Sequence, residues 1–581
     1  MKRALLITSL LLIALAQLAA AQEDIVMKAM RDELSRSMSQ LRLEKLEKPY
    51  FIAYRVDDTY MTNVAATLGE LSGSTNTHYR SFNPQVRVGD YKFDNSNFLS
   101  ATAGSRPVGL PVDDDYDEIR RAMWLATDAQ YKAATAEFSA KKSAMERRQG
   151  QSELADFIKG TPNTFHQDQV ILKPDVPSLE KLAKDISAVF VGSPEIVASG
   201  TSVMVVSNYV RFLDSEGTSF TRAEPVIVVS VGAQTLATDG TPLEDSFQVY
   251  ETSLDKLSGE ALQQRTRDML VRLKALRTAP LVERYNGPVL FEDEAAPQLF
   301  AQVFAPALVA GRLPISDEPQ FESQVQQVLE QFGASLADRI GGRVLPESFD
   351  VIDDPKPTSF EGMTLVGTTV IDDEGTTPQK ISIIEGGILQ NILATRTPTA
   401  QTSATTGNAG PGGPTPSNLY VSSKSGKTNA ELRQQLLTLA KKRGYDYGIV
   451  VRHAGNTGLS GMTRMAARMM SANASGGNLG VYRVYADGHE ELARADIAPL
   501  TLAGFKDILA AGNQQVAFNG AFIQIIGSIV SGGRGGSSII SYMVPPLLFE
   551  EVSLRKPGGP MPKPPVIASP LMNSTPTALA K

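Results

Sequence analysis

No cysteine occurs anywhere in this 581-residue chain. That absence removes disulfides, thiolate zinc sites, a cysteine nucleophile and a lipid-modified cysteine anchor together. The chain has to be held together by ordinary burial of apolar surface. It is long enough for that, and 42% of its residues are apolar.

The first residues have the three parts of a secretory signal peptide in order. Lys2 and Arg3 supply positive charge, residues 4–15 form an uncharged apolar run, and Ala19, Ala20 and Ala21 place small residues where a signal peptidase reads. The expectation is a signal peptide over residues 1–21, cleavage after Ala21, and a periplasmic or secreted chain beginning at Gln22. The apolar run is short of the roughly 20 residues a spanning helix needs, so a stable membrane anchor is not expected. The most apolar later stretch, residues 522–530, is interrupted by Gln524 and Gly527. Removing Lys2 and Arg3 leaves 54 of the 56 basic residues against 63 acidic ones, a net charge of −9. Phosphate binding needs a concentrated basic surface. No such patch occurs, so no nucleic-acid partner is expected.

Periodicity predicts both helices and strands along the chain. Ile25, Met30, Leu34, Met38 and Leu41 recur at helical spacing. Residues 50–56 and 86–91 read as strands. Between 113 and 150 lies an Ala-, Lys-, Glu- and Met-rich stretch that reads as one or two long, solvent-facing helices, with Asp113, Asp114 and Asp115 as an N-terminal cap. Residues 174–190 and 254–276 read as helices, and 202–213 and 226–234 as strands. Tyr285-Asn286-Gly287-Pro288 reads as a break. It separates an N-terminal α/β domain (22–285, with a helical insertion near 113–150) from a β-rich C-terminal domain (286–556). Beyond it, 295–309, 321–340 and 429–443 read as helices. Residues 397–416 read as a long mobile loop, and 557–581 as a proline-rich tail.

The chemistry-bearing residues are sparse. The four histidines, His78, His166, His453 and His489, include no pair three to five residues apart, so no short helical zinc motif exists. There is no G-x-S-x-G elbow and no phosphate-binding loop. Gly532-Gly533-Arg534-Gly535-Gly536 reads as a hairpin or loop. Two acidic groups remain, Glu292-Asp293-Glu294 at the start of a helix and Asp372-Asp373-Glu374-Gly375 after a strand. On residue types alone each is a cap or a turn. Glu292, Asp293 and Glu294 are the candidates for carboxylate chemistry.

Asp372-Asp373-Glu374-Gly375-Thr376-Thr377-Pro378-Gln379 and Ile384-Glu385-Gly386-Gly387-Ile388-Leu389 together resemble the TldD/PmbA family, also called the modulator of DNA gyrase family and classed with peptidases. Thr406-Gly407-Asn408, Pro416-Ser417-Asn418-Leu419, the Asp487-Gly488 turn within 482–491, and Leu547-Leu548-Phe549-Glu550-Glu551 follow in the family's order. Asp214-Ser215-Glu216-Gly217-Thr218 is similar to a family turn in the first half. The resemblance implies a two-domain α+β protein, with a mixed N-terminal domain and a β-rich C-terminal domain, and assembly in pairs, as homo- or hetero-dimers.

In the catalytic member, the resemblance implies a helix with an H-E-x-x-x-H zinc motif and a later cysteine. That helix is expected at Leu290-Phe291-Glu292-Asp293-Glu294-Ala295-Ala296-Pro297. No histidine stands there and the chain has no cysteine, so the expected cofactor is none and the metal ligands none. The chain resembles the PmbA-type member. It is expected to join a zinc-bearing TldD-like subunit in processing unfolded peptides. The alternatives are a carboxylate-dependent hydrolase and a non-catalytic envelope protein that pairs with peptide strands.

Overall fold

The structure, a computed structural model, describes residues 24–42, 46–99, 107–148, 154–332, 335–455, 480–523 and 537–557. The expected signal peptide, the glycine run at 532–536 and the tail from 558 onward lie outside the described residues. No helix among the described residues is long and apolar enough to cross a membrane.

The first helix, α1 (Ile25–Gln40), starts where the Asp24 carboxylate accepts the Met27 backbone N–H at 3.0 Å. Its spacing buries Val26, Met30 and Leu34 on one face. The strands β1 (Pro49–Thr67) and β2 (Glu70–Val88) follow, each of 19 residues and joined by a two-residue turn at Leu68-Gly69. A strand of that length reaches roughly 60 Å. No single helix pair can cover it, and two pairs divide the work. The first pair is α1 with α2 (Tyr116–Arg147), over Tyr54, Val56 and Phe82. The second is α3 (Val176–Ser187) with α4 (Gly259–Leu276). It covers Val64 of β1, Val203 of β3 (Ile196–Asp214), Val229 of β4 (Ser219–Leu236) and Phe247 of β5 (Pro242–Glu251). The long strands run in the order β2-β1-β3-β4-β5, all antiparallel.

The 113–150 stretch is one helix capped by Asp115, which accepts the Glu118 N–H. It is not wholly solvent-facing. Ile119, Met123, Tyr131 and Ala134 are buried against α1, β1 and β2. The eye misses this stripe because small and polar residues (Thr127, Ala134, Thr135, Lys141) occupy half of it.

In the C-terminal half the expected break at Tyr285-Asn286-Gly287-Pro288 is strand. β6 (Arg284–Phe291) runs straight through it. Proline survives there because the neighbouring strand β10 (Tyr447–His453) pairs only from Val289 onward, and β15 (Leu547–Arg555) is irregular between Phe549 and Val552. β6, β10, β11 (Gly480–Tyr485), β12 (Glu490–Ala493) and β15 make one sheet. A second joins β7 (Phe349–Asp353), β8 (Ile381–Glu385), β9 (Asn418–Ser423), β13 (Val516–Ile523) and β14 (Ser537–Val544).

Both sheets contribute to one core. The helix α5 (Ala295–Leu299) and the turns that continue it to residue 308 are part of it, with Ala295, Leu299, Phe304 and Leu308 at zero exposure. α6 (Pro319–Phe332) ends earlier than its periodicity suggests, followed by a short 3-10 turn at Ala337–Arg339. α7 (Asn429–Lys442) opens on a capping box between Thr428 and Glu431 and covers the outer face of the first sheet through Leu432 and Leu436.

Residues 397–416 are not a loose loop. Asn408 donates to Asp353 at 2.9 Å, the Ala409 N–H to Asp372 at 3.0 Å and the Thr415 N–H to the Asn408 carbonyl at 2.7 Å. Backbone donors find buried carboxylates here, which composition alone cannot reveal.

Candidate functional site

The helical segment 295–308 changes pitch along its length. Its first turn is α, residues 300–304 form a π turn and 305–308 a 3-10 turn. Widening at the π turn brings residues five apart onto one side. That side carries Gln298, Ala301, Gln302 and Pro306, and with Glu294 it lines a small cavity of about 100 Å³ between the two domains. His453 and Gly455 close it from the end of β10, Ser246, Phe247 and Gln248 from β5, and Arg265 from α4. Gln298 accepts the Ala454 N–H at 2.7 Å and Gln302 donates to the Gly455 carbonyl at 2.7 Å, so both amides fasten the helix to the end of β10.

Charges around the cavity are paired. Glu294 meets Arg265 at 2.6 Å, and its other oxygen lies 3.8 Å from His453 Nδ1. Burial works to raise the Glu294 carboxyl, but His453 and Arg265 overcome it and hold it below the usual carboxylate range. His453 Nε2 lies 3.4 Å from Asp245, whose Oδ2 is bound by Arg272 at 2.7 Å. Asp245 Oδ1 is buried and has no hydrogen-bond partner among the described residues. Sequence reading missed His453, Asp245 and the two glutamines. No short spacing links them, because three separate elements bring them together.

The three residues named from the sequence part company. Glu292 ends the strand, 3% exposed. Arg433 reaches it at 2.7 Å and Arg452 at 2.7 Å, and both arginines also bind Glu490, at 3.0 and 2.8 Å. Asp293 has a left-handed backbone (φ +50°) and faces solvent. Only Glu294 reaches the cavity. Leu290 and Phe291 lie in β6, so residues 290–297 are strand end, turn and first helical turn rather than a metal-binding helix.

The helix that faces the cavity starts at Ala295. Its positions with the i, i+1, i+5 spacing of an H-E-x-x-x-H motif are Ala301, Gln302 and Pro306. None of these is a zinc ligand. Glu294, the carboxylate that lines the cavity, does not fit a cation either, because Arg265 takes it, as Arg272 takes the neighbouring Asp245. No cluster of three or more potential metal-binding side chains occurs among the described residues.

The Asp372–Gly375 group is a turn, as its composition predicts. Asp372 accepts the Glu374 and Thr376 N–H groups at 2.9 and 2.7 Å, and Gly375 has φ +81°. It also docks the two domains. Asp373 lies 2.7 Å from both Arg55 and Arg222 of the N-terminal sheet, and Asn163 donates to the Gly375 carbonyl at 3.0 Å.

Residues 284–555 match the family model for the PmbA/TldA metallopeptidase C-terminal domain. No curated protein matches the sequence. Three crystal structures share the fold at low identity. One, from Thermotoga maritima and assigned as a modulator of a DNA gyrase, is 14% identical with a TM-score of 0.56, over 90% of this chain and 100% of that one. TldE from Thermococcus kodakarensis is 14% identical, TM-score 0.54, over 90% and 99%. A further protein assigned as a modulator of DNA gyrase, from Bacteroides thetaiotaomicron, is 12% identical, TM-score 0.55, over 93% and 99%. These likenesses extend the two-domain α+β fold across both halves of the chain. The C-terminal domain, residues 284–555, belongs to the TldD/PmbA family.

Proposed function

We propose that this chain is an exported, zinc-free member of its family that receives extended peptide at the cavity between its domains and depends on a zinc-bearing relative for cleavage. The observation that carries this reading is the side of the 295–308 helix facing the cavity, where Ala301, Gln302 and Pro306 occupy the motif spacing. Peptide hydrolysis near neutral pH needs an activated water and a polarised carbonyl, which zinc supplies. Here the cavity carboxylate Glu294 and the neighbouring Asp245 are each tied to an arginine, and a positioned base alone gives only about 10² to 10⁴ in rate. What the cavity offers instead is amide, imidazole and aromatic surface suited to holding a peptide backbone. Export is supported by Lys2, Arg3, the apolar run and Ala19 to Ala21.

Fluorescence anisotropy with a labelled unstructured peptide tests the binding step. Ala301→Phe fills the cavity, and the expected outcome is at least ~10-fold weaker binding, with the far-ultraviolet circular dichroism unchanged. Equal affinity in the folded variant would remove the cavity from the proposal.

A further inference from the structure

The cavity between the domains is small. Its volume, about 100 Å³, gives room for roughly seven to ten ordered waters. That suits one residue at the end of a chain better than a strand passing through. A chain end differs from the rest of a peptide by its charge. Which end fits is therefore decided by the charges of the lining and by its unfilled hydrogen-bonding groups.

Several polar groups of the lining are already matched. Asn519 donates to the Thr364 carbonyl at 2.8 Å and accepts from Ser541 at 2.7 Å. Gln248 donates to Ser230 at 3.2 Å and accepts from Tyr250 at 2.5 Å. Gln298 is different. It is 2% exposed and spends its oxygen on the Ala454 N–H at 2.7 Å, while its amide nitrogen donates to nothing among the described residues. A buried donor left unmatched costs free energy until something accepts from it. Arg265 is also unfilled. It donates only through Nη2, to Glu294 at 2.6 Å, so Nε and Nη1 have no partner among the described residues. Its guanidinium lies 4.6 Å from the ring centre of Phe247, another residue of the lining, and this stack restricts where its remaining donors can point.

Both unfilled side chains are donors, and one is a cation. A carboxylate accepts from both, and the planar guanidinium can hold it with two parallel bonds. It need not displace Glu294. In the same chain Arg452 binds Glu292 and Glu490 together, at 2.7 and 2.8 Å. Nor does it meet uncompensated negative charge, because Arg265 offsets Glu294 and Arg272 offsets Asp245. An ammonium fits worse. Glu294 is the only carboxylate of the lining among the described residues. An ammonium would have to share it with Arg265 and accept that arginine's repulsion.

We infer that the cavity is an end pocket, which takes the free C-terminal carboxylate of a peptide on Arg265 and Gln298. The inference rests on the reading that this cavity holds peptide, and it narrows that reading to one end of the chain.

Three N-terminally labelled forms of one unstructured peptide test it by fluorescence anisotropy near neutral pH. The first has no Asp or Glu and a free C-terminus, the second is its C-terminal amide, and the third is that amide with one internal glutamate. The free acid is expected to bind at least ~10-fold more tightly than either amide, as a charge-assisted pair does. Arg265→Gln is expected to bring the ratio of acid to amide affinity close to one. Arg265→Lys, which keeps the charge without the fork, is expected to retain part of the preference. Circular dichroism establishes that each variant is folded. Equal binding of acid and amide by the wild-type chain would overturn the inference and leave the peptide reading standing. So would an unchanged ratio in folded Arg265→Gln. Binding of the glutamate-bearing amide as tightly as the acid would overturn it by moving the carboxylate from the chain end to a side chain. No binding of any of the three would remove the peptide reading and this inference together.

Discussion

Asp353 ends β7 with no solvent exposure, accepting the Ser417 N–H at 2.7 Å and the Asn408 amide at 2.9 Å. Burial outweighs those two donors and pushes its carboxyl up to about 7. The sign of the consequence follows from proton counting. Between about pH 4 and pH 7 the folded chain keeps a proton that the unfolded chain has lost, so this residue makes stability fall as pH rises, by up to ~1.4 kcal/mol per unit. Asn408 Oδ1 has no partner among the described residues, so its amide can turn to accept from a neutral neighbour. Asp353→Asn is therefore expected to be near-neutral at pH 5 and stabilising at pH 8, measured as the difference in urea midpoint from wild type. A difference that stays constant across that range would show that Asp353 is ionised throughout. The importance of this residue could not be read from the sequence. An aspartate after a strand looks like any turn, and only the packing of 408–417 over it removes the water.

At the scale of elements, Glu292 joins the end of β6 to α7 and to the strands β10 and β12. Its two oxygens are held by Arg433 and Arg452, which also share Glu490, and the Arg452 guanidinium lies 4.6 Å from the Tyr482 ring centre. Removing the buried member leaves two partly exposed cations sharing Glu490, with the exposed Asp293 3.8 Å from Arg452. Glu292→Gln is expected to cost about 2 kcal/mol, by the penalty for breaking a buried pair, reduced by the exposure of the arginines. Glu490→Gln, which is more exposed, is expected to cost less. Chemical unfolding of both single variants and the double checks the pairing, and a neutral Glu292→Gln would contradict it. The first helices were legible because each carries a local signal, the apolar spacing of α1 and the acidic cap that Asp115 gives α2. Pro288 misled for the opposite reason. Whether a proline breaks a strand depends on where the neighbours start to pair, and that is long-range information.

Across the whole molecule, the two domains are joined by polar contacts. Asp373 sits between Arg55 and Arg222, and Arg396 reaches back to Glu216 at 2.5 Å. Burial acts to raise the Asp373 carboxyl, yet the two arginines hold it at about 2. A depressed carboxyl contributes stability that is present above about pH 4 and lost as pH falls toward 2. Asp373→Asn is expected to weaken domain docking by about 2 kcal/mol, seen in calorimetry as an earlier transition that separates from the rest. A single unshifted transition would contradict this. The family signature at 372–379 was recognisable because a tight turn leaves a local pattern of Asp and Gly. The cavity was not, because Gln298, Asp245 and His453 come from distant parts of the chain and meet only in the folded chain. The central claim is that this cavity holds peptide but cannot cleave it unaided. The most direct measurement is hydrolysis of an unstructured peptide by this chain alone, by a zinc-bearing relative alone and by both, with zinc content determined for each. The expected result is no stoichiometric zinc and no cleavage by this chain, with activity rising when both are present. Robust cleavage by this chain alone that survives chelation and is abolished by Glu294→Gln would contradict the account and assign the chemistry to the carboxylate.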